Sequence, residues 1–235
     1  MKNTFYSDFI RTMATLPQDK SGAVWNTRYV ESILNVNAKF DLTVSELEFI
    51  LRALDVKGKN PLDHSKDFLR IMIKNYSITV VTLSEIILDY INCVYSIGLK
   101  TRHCNYDTVI KNYNIETTEL PDIFKRYHKE LSFDRVNNER NFIVHENIIN
   151  SIYINIFERE YEEAINLYVE NMTDNRKEEY MTELKITLTE IAINYYSKVY
   201  YDLKNNFENI LKFTDEVLVS LSNKFKKRVY EMIQQ

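Results

Sequence analysis

From Asp122 to Gln235 the chain contains neither proline nor glycine. Proline breaks a helix and glycine costs backbone entropy, so a segment this long without either residue can form long helices. Its apolar residues recur every three or four positions, as on one face of an α-helix. They are Met181, Leu184, Leu188, Ile191, Tyr195, Val199, Leu203, Phe207 and Ile210. We predict a helix over residues 175–212, about 60 Å long at about 1.5 Å per residue.

Two further helices are predicted beside this one. Residues 144–171 carry a second apolar stripe, and the connection at 172–174 is so short that the two helices must run antiparallel. After residue 212, Thr214 with acidic residues behind it is typical of a helix start. The alternative is that the long helix continues straight, since no residue between the two segments forces a break.

The N-terminal part is predicted to consist of shorter helices. We expect them over residues 4–16, 25–36, from Thr43 to near Gly58, from 63–65 to Asn75, and from Thr82 to 97. Thr43 and Thr82 are each followed three residues later by a glutamate, which is the pattern of a capping box. Gly98 is expected to end the last of these helices as its C′ residue.

These patterns predict an all-α protein. We expect a compact N-terminal helical part over residues 1–100, a connecting region with a short helix over 101–141, and a long antiparallel C-terminal helical bundle over 142–235. A single shared core is the alternative. The chain has only three glycines, and β-hairpins and phosphate-binding loops usually need more.

Charge, cysteine content and motifs exclude several functions. The net charge is −4, whereas a nucleic-acid clamp is usually basic, so nucleic acid is not expected as a partner. Two isolated cysteines and the lack of an N-terminal apolar run indicate a cytoplasmic protein that is not secreted, and the most apolar segment carries too many carboxylates for a membrane span. No zinc-ligand spacing involves the four histidines, and no catalytic motif occurs, so we expect no cofactor, no metal and no enzymatic activity. The histidines are His64, His103, His128 and His145.

Two segments nevertheless suggest chemistry. Glu85 and Asp89 lie one helical turn apart on an apolar helix, where paired carboxylates could act as acid and base. The alternative is that both face solvent or pair with cations. Residues 25–55 could form a helix-turn-helix that binds DNA phosphates through its basic residues, although acidic residues nearby offset that charge. Those basic residues are Lys39, Arg52, Lys57 and Lys59.

Three clusters of side chains predict protein–protein contacts. A tyrosine cluster on one helix cannot point wholly inward, and tyrosine is enriched at interfaces. It comprises Tyr195, Tyr196, Tyr200 and Tyr201. An acidic cluster and a basic cluster could pair between subunits, or could simply be solvated helix faces. They comprise Glu158, Glu160, Glu162 and Glu163, and Lys224, Lys226, Lys227 and Arg228.

The function expected from these observations is a non-enzymatic helical subunit or adaptor of a larger protein assembly, such as a viral or phage particle. Its partners would be other protein subunits in a homo- or hetero-oligomer. The alternative is a nucleic-acid-binding regulator with an N-terminal helix-turn-helix reader and C-terminal dimerisation helices.

Overall fold

The computed structural model describes residues 4–16, 24, 27–55, 66–130, 152–171 and 176–234. Throughout that part of the chain the regular structure is helical and contains no strand, which confirms the predicted all-α class. The α-helices are α1 (Thr4–Ala14), α2 (Arg28–Leu54), α3 (Lys66–Val94), α4 (Tyr106–Ile110), α5 (Tyr113–Glu116), α6 (Leu120–Glu130), α7 (Ile152–Glu170) and α8 (Lys177–Gln234). A 3₁₀ turn, Thr101–His103, precedes α4.

Three helices are longer than predicted because their expected start signals lie inside them. Thr43 is within α2, where its hydroxyl donates to the carbonyl of Lys39 at 2.9 Å. Thr214 is within α8, where its hydroxyl donates to the carbonyl of Ile210 at 2.7 Å. A threonine that bonds back to its own helix does not cap a new one, so the predicted breaks at Thr43 and Thr214 are wrong. The predicted start at Thr82 is also wrong, because α3 runs without a break from Lys66 to Val94. The alternative of a straight continuation is confirmed for α8, which runs for 58 residues.

The fold groups into two compact units, each assembled from separate segments of the chain. The first unit combines residues 1–46, 79–134 and 207–235, and the second combines 47–78 and 135–206. The first unit therefore takes residues from each of the three segments predicted as domains.

The core of the first unit is rich in aromatic rings. Phe5 packs edge-on against Tyr90 at 5.2 Å between centroids and against Phe225 at 5.7 Å. Phe124 meets Phe213 edge-on at 5.0 Å, which packs α6 against α8. Edge-to-face pairs of this kind add about 0.5–1.5 kcal/mol beyond the apolar area that they bury.

In the second unit α7 packs against the first half of α8. Phe157 contacts Tyr195 at 5.4 Å between ring centroids, and the Tyr168 hydroxyl lies 3.2 Å from that of Thr187. Because residues later in α7 meet residues earlier in α8, the two helices run antiparallel, as predicted. The connection at 172–174, the start of the predicted helix at 144–151 and residues 25 and 26 of the predicted second helix lie outside the described residues.

One helical segment, Asp67–Val94, is long and apolar enough by length and composition alone to cross a membrane. Of its most apolar window, 72% is buried inside the protein. That degree of burial is what a core helix of a globular protein shows, and the segment is weak evidence for a membrane span.

Candidate functional site

The buried side-chain amide of Asn92 holds the loop that follows α3 through two hydrogen bonds. Asn92 donates from Nδ2 to the carbonyl of Leu99 at 2.9 Å and accepts from the Leu99 backbone N–H at 3.0 Å. The loop turns through two left-handed residues, Ser96 at φ 53° and Gly98 at φ 82°. The helix ends at Val94, so Gly98 lies beyond the C′ position predicted for it. A side chain at Gly98 would meet no neighbour within 4 Å, but its positive φ would strain any other residue.

This loop and α2 enclose a cleft of about 560 Å³ in the first unit. We call it the α2–α3 cleft. Three cations line it, namely Arg28, Lys39 and Lys100, and all three are exposed to solvent. One carboxylate also lines the cleft, that of Asp89, which is only 6% exposed. The lining of the cleft therefore has three exposed cations and one buried carboxylate, and its net positive charge suits an anionic ligand.

Two cysteine thiols lie close to Asp89. Burial raises the pKa of Cys93 to about 11, with Asp89 raising it further and Lys39 lowering it. Burial also raises the pKa of Cys104 to about 12, with a hydrogen bond to Asp89 as the second cause. Both thiols are therefore protonated at neutral pH, and neither is activated as a nucleophile.

The predicted pair of carboxylates does not enter the cleft together. Asp89 is buried in the lining, whereas Glu85 is exposed and is not part of it. A ligand in the cleft would therefore meet the carboxylate of Asp89 but not that of Glu85. Among the residues that the structure describes, no group of three or more histidine, cysteine or acidic side chains is arranged to hold a metal ion.

The predicted helix-turn-helix is wrong, because α2 runs without a break from Arg28 to Leu54. Its basic residues separate in the structure. Lys39 lines the cleft, and Arg52 forms an ion pair with Glu48 at 3.8 Å. Lys57 and Lys59 lie outside the described residues.

The four clustered tyrosines divide into two pairs. Tyr195 and Tyr196 are 7% and 0% exposed and belong to the interior of the second unit, so they offer no surface to a partner. Tyr200 is half-buried and Tyr201 is 51% exposed, with their ring centroids 5.4 Å apart. The interaction prediction therefore stays open for Tyr200 and Tyr201 alone.

The two charged clusters make several contacts within the chain. In the acidic cluster, Glu158 pairs with Arg70, Glu160 bonds the Tyr195 hydroxyl, and Glu163 lies 3.7 Å from Arg159, whereas Glu162 is exposed. In the basic cluster, Lys226 pairs with Asp8 at 2.8 Å, Arg228 pairs with Glu231 at 3.6 Å, Lys224 lies over the Tyr95 ring, and Lys227 is exposed. These contacts reduce the charge that either cluster can offer to another subunit.

The described residues form an all-helical protein with one very long helix, α8, and comparison with known families identifies its family. Residues 63–226 match the model of the Cthe2314-like HEPN family (HEPN_Cthe2314). The match covers well over half of the chain, and the chain belongs to this family. No curated protein and no solved structure matches it significantly.

Proposed function

We propose that this protein acts on RNA as a ribonuclease. The observation that carries the proposal is membership of a HEPN family, because HEPN domains are usually nuclease- or ribonuclease-related. The proposal departs from the non-enzymatic function predicted from the sequence, which rested on the lack of familiar catalytic motifs. It also reverses the expectation that nucleic acid is not a partner.

The 2′-hydroxyl of RNA is itself the nucleophile in its cleavage, so a protein needs to supply few catalytic groups. When the 2′-oxygen attacks the adjacent phosphorus, the O2′–P bond forms and the P–O5′ bond breaks, leaving a cyclic phosphate and a 5′-hydroxyl. The reaction needs a base for the 2′-hydroxyl proton, a cation for the phosphate oxygens, and a proton for the departing O5′, which water or the protonated base can supply. Histidine suits the first task because it titrates near neutral pH, and arginine suits the second because its guanidinium matches phosphate.

Three of the four histidines are poor candidates for the base. Nε2 of His103 accepts a hydrogen bond from Nε of Arg102 at 3.1 Å, so its lone pair is occupied. Near His64 and His128, the neighbouring arginines in the sequence already bind carboxylates. Arg70 pairs with Glu158, and Arg126 pairs with Glu216 at 3.1 Å.

Arg140 and His145 are five residues apart in the sequence and lie outside the described residues. Both lie inside the range that matches the family. We assign His145 as the base and Arg140 as the phosphate-binding cation. The α2–α3 cleft supports the same function, because its three cations suit an RNA phosphate.

Cleavage of a fluorophore–quencher RNA by purified protein tests the proposal. Removing a general base usually costs about 100-fold to 10,000-fold in rate, so His145→Ala and Arg140→Ala should each lose at least about 100-fold. His103→Ala and Arg102→Ala are matched controls at exposed positions and should keep nearly the full rate. Failure of the wild type to cleave RNA, or equal loss in the 145 and 103 variants, would overturn the proposal.

A helical subunit of a larger protein assembly is the second candidate. It is supported by large apolar side chains exposed on α7 and α8 of the second unit, namely Leu167, Val169, Ile186, Ile193 and Tyr201. Exposed apolar side chains of this size are candidates for a surface that meets another protein. Its test is the solution mass across protein concentration, where a strict monomer that binds no other protein would contradict it.

A further inference from the structure

Asp89 is a buried carboxylate with few hydrogen-bond donors around it. It is only 6% exposed, and it lines the α2–α3 cleft. The thiol of Cys104 donates a hydrogen bond to it, and a thiol is a weak donor. Among the residues that the structure describes, Asp89 forms no ion pair. A carboxylate has about four acceptor sites on its two oxygens, so Asp89 can accept further hydrogen bonds from a ligand in the cleft.

The three cations of the lining are available to a different group of the same ligand. Arg28 and Lys39 lie on α2, and Lys100 lies on the loop after α3. All three are exposed, and none forms an ion pair within the described ranges of the chain. A ligand that suits this lining therefore has hydrogen-bond donors at its buried end and an anionic group at its exposed end.

A guanosine nucleotide of RNA has this arrangement of groups. The Watson–Crick edge of guanine carries two adjacent donors, N1–H and N2–H, which can bond to the two oxygens of one carboxylate. The same edge of adenine or cytosine places an acceptor beside its amino group, and that of uracil has one N–H between two acceptors. A carboxylate would meet an acceptor lone pair on each of these three bases. At about 560 Å³ the cleft also lies within the range of about 300–1,000 Å³ that is usual for small-molecule sites.

We propose that the α2–α3 cleft selects guanine, with Asp89 accepting hydrogen bonds from N1–H and N2–H of the base and the three cations binding its phosphates. The choice of RNA as the ligand rests on the ribonuclease proposal, and the recognised base is new. Hydrogen bonds to an ionised acceptor are the stronger kind, and a buried acceptor that lacks its donors is costly. Asp89 therefore determines specificity, whereas His145 and Arg140 act on the bonds that change.

Binding of nucleoside monophosphates to the wild-type chain is the first test. Isothermal titration calorimetry would compare guanosine, inosine and adenosine 5′-monophosphates, which share the same phosphate group. Inosine keeps N1–H but lacks the 2-amino group, so its monophosphate should bind roughly 10-fold more weakly than that of guanosine, and that of adenosine should bind more weakly still. Equal affinities for the guanosine and inosine monophosphates would overturn the proposal. So would no binding of guanosine monophosphate at roughly 5 mM.

Asp89→Asn should reverse the preference, which mere damage to the structure would not do. An amide presents one acceptor and one donor, and these match N6–H and N1 of adenine. The variant should therefore bind adenosine monophosphate more tightly than guanosine monophosphate.

Glu85→Gln is the matched control for this reversal. It removes the same charge from the same helix, at an exposed position outside the lining, and should keep the preference for guanine. An Asp89→Asn protein that still prefers guanine, or a Glu85→Gln protein that does not, would refute the role of Asp89. Circular dichroism establishes that both variants keep their helix content, and the inosine comparison decides the proposal on wild-type protein alone.

RNA cleavage separates failure of this inference from failure of the ribonuclease proposal. Uridine-rich RNAs that carry a single guanosine or a single inosine would be compared, and the guanosine RNA should have a kcat/KM roughly 10-fold higher. Cleavage of both RNAs with the same kcat/KM would refute the selection of guanine and leave the ribonuclease proposal standing. Selective binding of guanosine monophosphate without cleavage of any RNA would refute the ribonuclease proposal and support the selectivity of the cleft.

Discussion

The hydroxyl of Tyr90 should be worth about 2 kcal/mol to the stability of the first unit. Tyr90 is fully buried and donates to Oδ1 of Asn37 at 2.6 Å, and Asn37 is only 6% exposed. Nδ2 of Asn37 in turn donates to Asp41 at 3.2 Å, which fixes the orientation of the amide. Tyr90→Phe keeps the ring contacts and removes the donor, so the buried Oδ1 of Asn37 loses this hydrogen bond at a cost of about 1–3 kcal/mol.

Thermal unfolding followed by circular dichroism measures this cost. For a chain of this size about 2 kcal/mol corresponds to a fall in Tm of roughly 4–8 °C. Tyr113→Phe is the matched control, because that side chain is 78% exposed and water replaces its hydrogen bonds. In a double-mutant cycle with Asn37→Ala, the Tyr90 and Asn37 changes should couple by about 1 kcal/mol. If Tyr90→Phe unfolds at the same temperature as Tyr113→Phe, the reasoning from the buried hydrogen bond is refuted.

Three further changes give separate tests. Oδ1 of Asp215 is buried with no hydrogen-bond partner among the described residues, and burial raises the pKa of its carboxyl. A raised pKa means that the ionised carboxylate opposes folding, so Asp215→Ala should stabilise by about 1 kcal/mol in urea unfolding at pH 7. The gain should shrink as the pH falls through the raised pKa and should be gone below the ordinary carboxyl pKa of 3.8. With its pKa at about 11, Cys93 should react with iodoacetamide at pH 8 roughly 100-fold more slowly than an unperturbed thiol, and mass spectrometry should show the rate rising up to pH 11. Arg70→Ala should cost about 0.5–1 kcal/mol, and less at high salt, because the Arg70–Glu158 pair is partly exposed.

The helical class was predictable because its cause is local. The missing prolines and glycines and the regular apolar spacing act within each turn of a helix, and α7 and the antiparallel α7–α8 pair followed from them. The helix breaks were not predictable in the same way. Thr43 and Thr214 satisfy the local pattern of an N-cap, but buried apolar residues continue at helical spacing before and after each threonine, which favours continuous helices. The threonine hydroxyls then bond back to their own helix.

The α2–α3 cleft could be predicted only in part. Asp89 drew attention as a carboxylate on an apolar helix, and Lys39 as a basic residue in a short segment. Nothing in the sequence indicates that they meet, because the cleft depends on the loop that Asn92 and the left-handed Ser96 and Gly98 shape after α3. Arg140 and His145 are visible in the sequence from the start. Their spacing gains meaning only from the family match and from the carboxylates that bind the other arginines.

The most direct test of the central claim, that this protein acts on RNA and that the cations of the α2–α3 cleft bind it, is the salt dependence of RNA binding. Fluorescence anisotropy would follow a short single-stranded RNA bound to His145→Ala protein between about 50 and 200 mM salt. Each phosphate contact contributes about 0.7 to the slope of log K against log salt, so the three cleft cations should contribute about 2. Adding Lys39→Ala should lower the slope by about 0.7, whereas Lys111→Ala, an exposed lysine paired with Asp107, should leave it unchanged. Binding without salt dependence, or equal slopes for the two lysine variants, would contradict the account.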